Sequence, residues 1–494
     1  MPERSTRDAW WVLASVSLPL FAVCVNTTSI NTALPAIARS LDTGLPSLQW
    51  VVNAYILAAA AFVVTGGRLG DLLGRRRVFL AGVALFGIAS VLIALAGSVT
   101  VLVAGRALQG LSSAMIVPGS LSLVGVAFPP ERRNAAIGIW AAVVGLGFAM
   151  GPLIGGALTE SLGWEWVWWA NVPLVVAAIA MALARVPESR DEGELSIDVA
   201  GIALLAAGSL ALVLGLTEAP DWGWGDGRTL GMFAGAAALF AAFGLVERRQ
   251  RLPLVVFRFF RSGPFVAGTL GTFSATLALL GAFYFYNLFL QSHAVFDLSP
   301  LETGATLLPL SLAMFAVSLA AGPLAQRLGP RAPVAGGFLA VAAGFWLVSR
   351  IGRDSGVEDL IPGFLLIGLG QGLVTGPTSA AAVAAVPEED AGEASGVVNM
   401  GRYLGGSLGV TICGLLYLRP GVGSGAGEAA RDLAVDAFAS ANRGMAIVAL
   451  GTAVVSALLL RRQARERHHP AHAGALVHTA HHLLRGGSGA PSAR

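Results

Sequence analysis

Long apolar runs, each about 20 residues and separated by short charged clusters, recur along the whole chain. A run of that length spans a hydrocarbon core about 30 Å thick. Within lipid every backbone N–H and C=O group must be hydrogen-bonded internally, so a spanning chain forms either helices or a closed β-barrel. The runs are long and show no two-residue alternation, which predicts helices. The sequence therefore predicts an all-α integral membrane protein.

The charge pattern supports this class and argues against others. Charged residues make up 12% of the chain, whereas globular domains carry about 25%. The net charge of +3 comes from arginine, because the chain has no lysine. The arginines lie mainly in short loops between apolar runs, which argues against binding to nucleic acid. Cys24 and Cys413 fall inside predicted spans, where we expect small buried hydrophobes rather than a disulfide.

Fourteen spans are predicted, which puts both termini on one side of the membrane. If that side is the cytoplasm, 23 of the 32 arginines lie in cytoplasmic segments, 7 in outer loops and 2 within spans. This asymmetry follows the positive-inside rule. We therefore expect a multi-pass protein of the plasma membrane with both termini in the cytoplasm. The first apolar run is too long for a signal peptide and is expected to be an uncleaved helix.

Two stretches of the chain repeat at a nearly constant offset. The sequence GRLGDLLGRR at 67–76 returns as GPLAQRLGPR at 322–331, and Gly147-xxx-Gly151 returns as Gly405-xxx-Gly409. Parallel repeats of this kind are a feature of secondary transporters. The spans predicted at 199–217 and 229–246 fall outside the repeat, so they are expected to form an inserted hairpin.

The repeat divides the chain into an N-terminal six-helix bundle (1–187), an inserted hairpin with a cytoplasmic linker (188–262), a C-terminal six-helix bundle (263–460) and a tail (461–494). The tail holds six of the seven histidines. A disordered cytoplasmic tail is the favoured interpretation. The alternatives are metal binding by the histidines and a short interfacial helix with Leu476, Ala480, Leu483 and Leu484 on one face.

The turn between the second and third spans places two glycines, an acid, a third glycine and two arginines at fixed spacing. Its key residues are Gly67, Asp71, Gly74, Arg75 and Arg76. The glycines permit a tight turn and close helix approach, and Asp71 can cap a helix or attract an arginine. A simple basic loop would explain the arginines but not the spacing. The second copy has Gln326 in place of the acid, so a charge-based contact there is expected to be weaker.

Two further motifs lie inside spans. Arg106, near Gln109 in the fourth span, carries a charge whose burial is costly, so it is expected to face a cavity or a partner. The alternative is that Arg106 reaches the outer interface, about 10 Å away along the helix. In the fifth span, small residues expose the backbone for close helix packing and a proline removes one helix hydrogen bond. That string consists of Gly147, Gly151, Pro152, Gly155 and Gly156.

These motifs resemble those of the major facilitator superfamily. In that family the 67–76 loop acts as a latch between inward- and outward-facing states, the Arg106 motif is implicated in proton transfer, and the fifth-span string marks antiporters. The segments Trp164–Trp166, Asn171–Pro173, Leu290–Pro309 and Asn399–Gly406 resemble the fourteen-helix drug:proton antiporter branch. The resemblance covers residues about 10–460. It implies two six-helix bundles plus an inserted helix pair, alternating access, and export of a small amphiphilic drug, antibiotic or metabolite by proton antiport.

One position departs from that branch. Asn26 stands where the branch usually has aspartate, and an amide cannot carry a proton at physiological pH. The predicted span interiors contain no carboxylate, since the acids lie at helix ends or in a loop, as Glu160, Glu165, Glu302, Glu393 and Asp71 do. Arg106 and Arg402 are the charges expected at depth. A cavity bearing both would be positive and would favour a neutral or anionic substrate over a lipophilic cation.

The candidate cavity residues are polar groups predicted to lie within the spans: Asn26, Asn31, Arg106, Gln109, Tyr284, Tyr286, Asn287, Gln291, Asn399 and Arg402. The two tyrosines and Asn287 are close neighbours on one helix, so not all can face inward. We expect no cofactor, no metal and no enzymatic activity, because the spans show no nucleophile–base set or metal cluster. The expected partners are a small-molecule substrate, protons and the lipid bilayer. A facilitator or importer without proton coupling and a membrane sensor or scaffold are the alternatives.

Overall fold

The structure is a computed structural model that describes residues 6–189, 198–250, 253–387, 390–417 and 428–460. The histidine-rich tail and its proposed interfacial face lie outside these residues. All regular secondary structure within the described ranges is helical.

The helices are α1 (Thr6–Ser40), α2 (Leu45–Leu73), α3 (Arg75–Ala94), α4 (Val99–Ala127), α5 (Pro130–Ser161), α6 (Trp166–Trp169), α7 (Asn171–Arg185), α8 (Val199–Trp222), α9 (Gly227–Glu247), α10 (Gly263–Leu290), α11 (Pro300–Thr306), α12 (Leu308–Leu328), α13 (Arg331–Val348), α14 (Ile361–Val383), α15 (Ala391–Tyr417) and α16 (Glu428–Leu459). Short 3₁₀ turns precede α10 and α14, at Phe257–Arg261 and Val357–Leu360. We call α1–α7 the first half, α8–α9 the inserted pair, and α10–α16 the second half.

Thirteen helical segments of the described residues are long and apolar enough to cross a membrane. The count of fourteen spans is therefore not confirmed. The segment outside the thirteen is α15, where the sequence predicts the thirteenth span of the fourteen. Its 27 residues are sufficient in length, but Arg402, Glu393 and several glycines and serines make it less apolar than the others.

The repeated glycine motif makes the same helix contact in both halves. In the first half α5 packs on α1, and a methyl group added at Gly151 would lie 1.9 Å from Thr28 Oγ1. In the second half α15 packs on α10, and a methyl group at Gly409 would lie 2.1 Å from the Leu277 carbonyl oxygen. Real contacts of this kind are longer than 3 Å, so in each half the glycines allow the two backbones to touch.

Several helix pairs join the two halves, and three of these contacts include a hydrogen bond near the predicted outer end. Gln291 Nε2 in the loop after α10 donates to the Thr32 carbonyl of α1 at 3.1 Å. The Leu301 amide of α11 donates to Glu160 of α5 at 3.0 Å. The third pair is α2 with α15, which also continues toward the predicted cytoplasmic end.

Asn53 of α2 forms the third contact and is fully buried. Its amide donates to Thr411 Oγ1 and accepts from Ser407 Oγ, both at 3.0 Å. Farther along the same helix pair, Arg68 and Glu393 are 3.9 Å apart. The α2–α15 contact thus joins the two halves near the predicted outer end and again nearer the predicted cytoplasmic end.

The inserted pair lies against this junction. Helix α8 packs on both α2 and α15, while α9 packs on α8. The inserted pair therefore contacts both halves through α8.

Candidate functional site

Helix α1 changes from partly exposed to fully enclosed along its length. Trp11, Ala14, Leu18, Phe21 and Val25 form one partly exposed face in the part nearer its N-terminus. Residues 28–34, nearer the predicted outer end, are all buried. The same helix thus borders open space at one level and packed protein at the other.

Helix α10, which corresponds to α1 in the repeat, shows the same change. Val266, Leu270, Phe273 and Thr276 give it a partly exposed face near the predicted cytoplasmic end. Residues 277–290 are buried without exception. The partly exposed parts of α1 and α10 therefore both lie toward the predicted cytoplasmic side.

Arg106 lies completely buried where α1, α2 and α4 meet. Its Nη1 donates to Asn26 Oδ1 at 2.6 Å and to Gln109 Oε1 at 2.9 Å, and its Nε donates to the Val51 carbonyl at 3.0 Å. The guanidinium also lies 4.4 Å from the centre of the Tyr55 ring. All of these acceptors are neutral, so they solvate the charge without cancelling it.

The network around Arg106 continues through Gln109. Gln109 Nε2 donates to Ser90 Oγ at 2.9 Å, and Asn171 Nδ2 donates to the same hydroxyl at 3.3 Å. Trp168 Nε1 donates to Gln109 Oε1 at 3.3 Å. These contacts reach α3, α6 and α7, so Arg106 sits in a polar core shared by most of the first half.

Arg402 occupies a different environment, because it is only half-buried. Its Nη2 donates to Ser379 Oγ of α14 at 2.8 Å, while its buried Nε has no hydrogen-bond partner among the described residues. The next residue, Tyr403, has its hydroxyl 3.4 Å from Ser113 Oγ of α4. Arg402 therefore lies where the two halves face each other.

Three of the predicted cavity residues lie inside the second half. Tyr286 is fully buried and donates to Asn442 Oδ1 of α16 at 2.7 Å. Asn287 donates to the Phe283 carbonyl of its own helix at 2.6 Å. Tyr284 is also fully buried. The structure thus separates these three side chains from the half-buried Arg402.

The remaining predicted residues are distributed along the junction. Asn31 is buried and donates to the Thr28 carbonyl at 3.2 Å, and its Oδ1 has no partner within the described chain. Gln291 bridges the halves at the predicted outer end, as described above. Asn399 is half-buried on α15 and donates to the Ser395 carbonyl at 3.0 Å. Asn399 and Arg402 are one turn apart, which brings these two together.

The loop predicted to act as a latch is tied mainly to its own half. Arg75 and Asp71 form an ion pair at 2.8 Å. Gly74 has φ +107°, a conformation that L side chains rarely adopt. The Arg76 amide donates to Glu188 Oε1 at 3.1 Å, and Arg77 lies 3.6 Å from the same carboxylate. Across the halves, the contact nearby is Arg68 with Glu393.

The glycine string of α5 brings that helix against both halves. Gly147, Gly151 and Gly155 lie against α1, whereas a methyl group at Gly156 would lie 2.3 Å from the Pro300 carbonyl oxygen in α11. Pro152 lacks an amide hydrogen, so the Phe148 carbonyl one turn earlier receives no helix bond from it. Thr28 Oγ1 donates to that carbonyl at 3.2 Å.

Sequence reasoning missed several buried polar groups. Asp198 and Glu247 are 4% and 2% exposed, but each falls one residue outside a predicted span. Glu188 holds the latch loop, although the sequence offers no signal for this contact. Asn53 could have been found as an amide in the interior of a predicted span.

A helical membrane protein with two similar halves, buried charge at its centre and a polar junction between the halves has the architecture of a secondary transporter. The sequence matches the family model described as Major Facilitator Superfamily over residues 16–410. The chain belongs to this superfamily and is a multi-pass membrane protein that transports small molecules. Members of the superfamily are in general carriers rather than enzymes.

Curated relatives include antibiotic resistance and export proteins. The chain is 38% identical over 408 residues to the tetracenomycin C resistance and export protein of Streptomyces glaucescens, covering 82% of this chain and 76% of that one. It is 37% identical over 413 residues to a puromycin resistance protein of Streptomyces alboniger, covering 82% and 80%. These bacterial relatives indicate a location in the plasma membrane.

The fold also matches solved transporter structures. A crystal structure of the POT family transporter PepTSo matches with a TM-score of 0.67 and 16% identity, covering 93% of this chain and 99% of that one. At this identity the match concerns the fold alone.

Proposed function

We propose that this protein exports a small amphiphilic organic molecule, such as an antibiotic or metabolite, by alternating access and in exchange for protons. The similarity to antibiotic export proteins over four fifths of the chain carries the proposal. The fifth-span glycine–proline string supports export over import, because it resembles the antiporter motif. Both termini lie in the cytoplasm in this proposal, as the arginine distribution predicts.

The pattern of burial supports a rocking mechanism with an inward-open state. In α1 and α10 the exposed faces lie toward the predicted cytoplasmic end, while the hydrogen bonds of Gln291, Glu160 and Asn53 join the halves toward the opposite end. Opening toward the outside would require these three contacts to break. Each is a single hydrogen bond or a pair, worth about 0.5–1.5 kcal/mol per bond, so rocking them open is energetically feasible.

We also propose that the substrate is neutral or anionic. Arg106 and Arg402 both donate to neutral acceptors, and neither forms an ion pair within the described part of the chain. The enclosed Arg106 contributes a long-range positive field, whereas the half-buried Arg402 is the arginine that a substrate can touch. An anionic or strongly hydrogen-bond-accepting group suits the half-buried guanidinium of Arg402, which carries a full positive charge next to the neutral Ser379 hydroxyl.

Transport into inverted membrane vesicles tests direction and charge together. We expect inward flux, which corresponds to export from the cell, for neutral and anionic compounds. Arg402→Gln should lower transport of an anionic compound about ten- to hundredfold, the loss expected for a charged hydrogen bond. It should affect a neutral compound less.

Arg350→Gln is the matched control, because Arg350 is exposed after α13, and it should leave both rates unchanged. Outward flux from the inverted vesicles would contradict export. Equal loss for neutral and anionic compounds in Arg402→Gln would contradict the role of its charge.

A further inference from the structure

Two buried carboxyl groups meet at the base of the inserted pair, outside the site described above. Asp198 caps the N-terminus of α8, and Glu247 ends α9. Both residues are buried, and the elements around them carry the buried apolar residues Ile202, Phe243 and Leu254. Water is therefore largely excluded from two groups that are strongly hydrated when ionised.

In each carboxyl group one oxygen accepts hydrogen bonds from neighbouring residues. Asp198 Oδ1 accepts from the Gly201 amide at 2.8 Å and from Gln250 Nε2 at 3.1 Å. Glu247 Oε2 accepts from the Val255 amide at 3.2 Å. The other two oxygens, Asp198 Oδ2 and Glu247 Oε1, are buried and have no hydrogen-bond partner among the described residues.

The two unpartnered oxygens converge on one point. A methyl group added at Gly201 would lie 2.5 Å from Asp198 Oδ2 and 2.6 Å from Glu247 Oε1, so these oxygens are at most 5.1 Å apart. The missing side chain of Gly201 leaves the space in which they meet. Two ionised carboxylates this close, in apolar surroundings, repel each other strongly, and a single proton placed between them removes the repulsion.

The charged groups around the pair do not offset its charge within the described chain. Directly after α9 the Arg248 guanidinium lies over the Phe257 ring, 5.9 Å from its centre. On α2, which packs against α8, Arg68 donates to the Pro253 carbonyl and lies near Glu393 of α15. Arg258, before α10, pairs with Asp390.

We propose that Asp198 and Glu247 hold one proton between them and form a proton-binding site at the base of the inserted pair. The site is connected to the contact between the halves. Glu247 binds the Val255 amide, and two residues earlier the Pro253 carbonyl accepts from Arg68 at 3.0 Å. Arg68 in turn faces Glu393 across the α2–α15 junction. Loss of the proton therefore acts on a segment that contacts Arg68 at the α2–α15 junction.

Infrared spectroscopy of the full-length protein in lipid tests the site without any substrate, so its outcome is independent of the proposed export. The wild type should show the carbonyl stretch of a protonated carboxyl group at about pH 7, and the band should disappear at higher pH. Glu247→Gln should remove it, because the carboxyl group that shares the proton with Asp198 is gone. Asp198→Asn should retain a band that disappears at lower pH than in the wild type, because the neighbouring like charge is gone.

Asp221→Asn is the matched control, since Asp221 lies at the exposed opposite end of α8, and it should leave the band unchanged. A wild-type protein without the band at neutral pH would overturn the proposal. An unchanged band in Glu247→Gln, or a shift to higher pH in Asp198→Asn, would overturn it as well.

Discussion

Arg106 Nη1 donates to Asn26 Oδ1 at 2.6 Å, a charged hydrogen bond to a neutral amide in the buried core of the first half. The amide oxygen accepts a hydrogen bond from the guanidinium, but because the amide is neutral it does not balance the positive charge. Asn26 also occupies the position at which the related antiporter branch usually carries aspartate. The pair therefore links the departure in the sequence directly to the electrostatics of the buried core of the first half.

Asn26→Asp should convert this hydrogen bond into an ion pair and remove the net positive charge of the network. A lipophilic cation would then no longer meet an unfavourable field. We expect vesicles with Asn26→Asp to transport ethidium, whereas the wild type and a neutral Asn26→Ser control should not. Equal ethidium transport by the wild type and Asn26→Asp would show that this charge does not select the substrate.

Gly151→Ala should destabilise the contact between α1 and α5. The new methyl group would lie 1.9 Å from Thr28 Oγ1 and 2.9 Å from the Val25 carbonyl oxygen, so the two helices must separate. Overpacking of this kind costs about 1–3 kcal/mol, and the detergent-solubilised protein should melt at a lower temperature. Gly138→Ala, on the same helix with open space around it, should be neutral or slightly stabilising. The same loss in both variants would exclude the close contact as the cause.

Thr28→Val should cost stability for a different reason. The two side chains have nearly the same shape, but valine cannot donate to the Phe148 carbonyl that Pro152 leaves without its helix bond. A buried carbonyl without a partner costs about 1–3 kcal/mol. Thr28→Ser keeps the hydroxyl and should retain more of the thermal stability than Thr28→Val. The reverse order would mean that the lost methyl group matters more than the hydrogen bond.

Asn53→Leu should loosen the closure at the predicted outer end, because Asn53 bonds both Ser407 and Thr411 across the halves. Spin labels at the exposed Ser98 and Asp354 would report the separation of the halves by pulsed electron resonance. The distance distribution should shift toward longer values in Asn53→Leu.

The matched control for this measurement is Gln371→Leu, which removes a buried amide that bonds the Ala275 carbonyl within the second half. It should leave the distance distribution unchanged. A shift in both variants would point to general loosening of the protein rather than to opening between its halves.

The sequence was most informative where a backbone contact requires a particular residue. Gly151 and Gly409 were predicted to correspond, and each allows a close approach to the first helix of its half. A membrane-spanning helix needs a run of about 20 apolar residues, and such runs are visible in the sequence. The helices themselves could therefore also be predicted. The exception is α15, whose polar residues serve contacts between helices and lower its mean hydropathy.

The site could be predicted only in part, because helix rotation decides which side chains share a space. Arg106 was expected at depth and is fully buried, but its acceptors include Val51 and Asn26, 55 and 80 positions away, and could not be assigned from spacing. Tyr286 reaches Asn442, a partner 156 positions away. Glu247 was overlooked because its burial depends on the linker that follows α9.

The most direct test of the central claim is proton movement induced by substrate in proteoliposomes loaded with a pH-sensitive dye. The panel should include ethidium as the cation together with neutral and anionic amphiphilic compounds. We expect protons to move opposite to the substrate when the compound is neutral or anionic, and we expect no proton movement with ethidium. Proton-coupled transport of ethidium, or substrate flux without any proton movement, would contradict it.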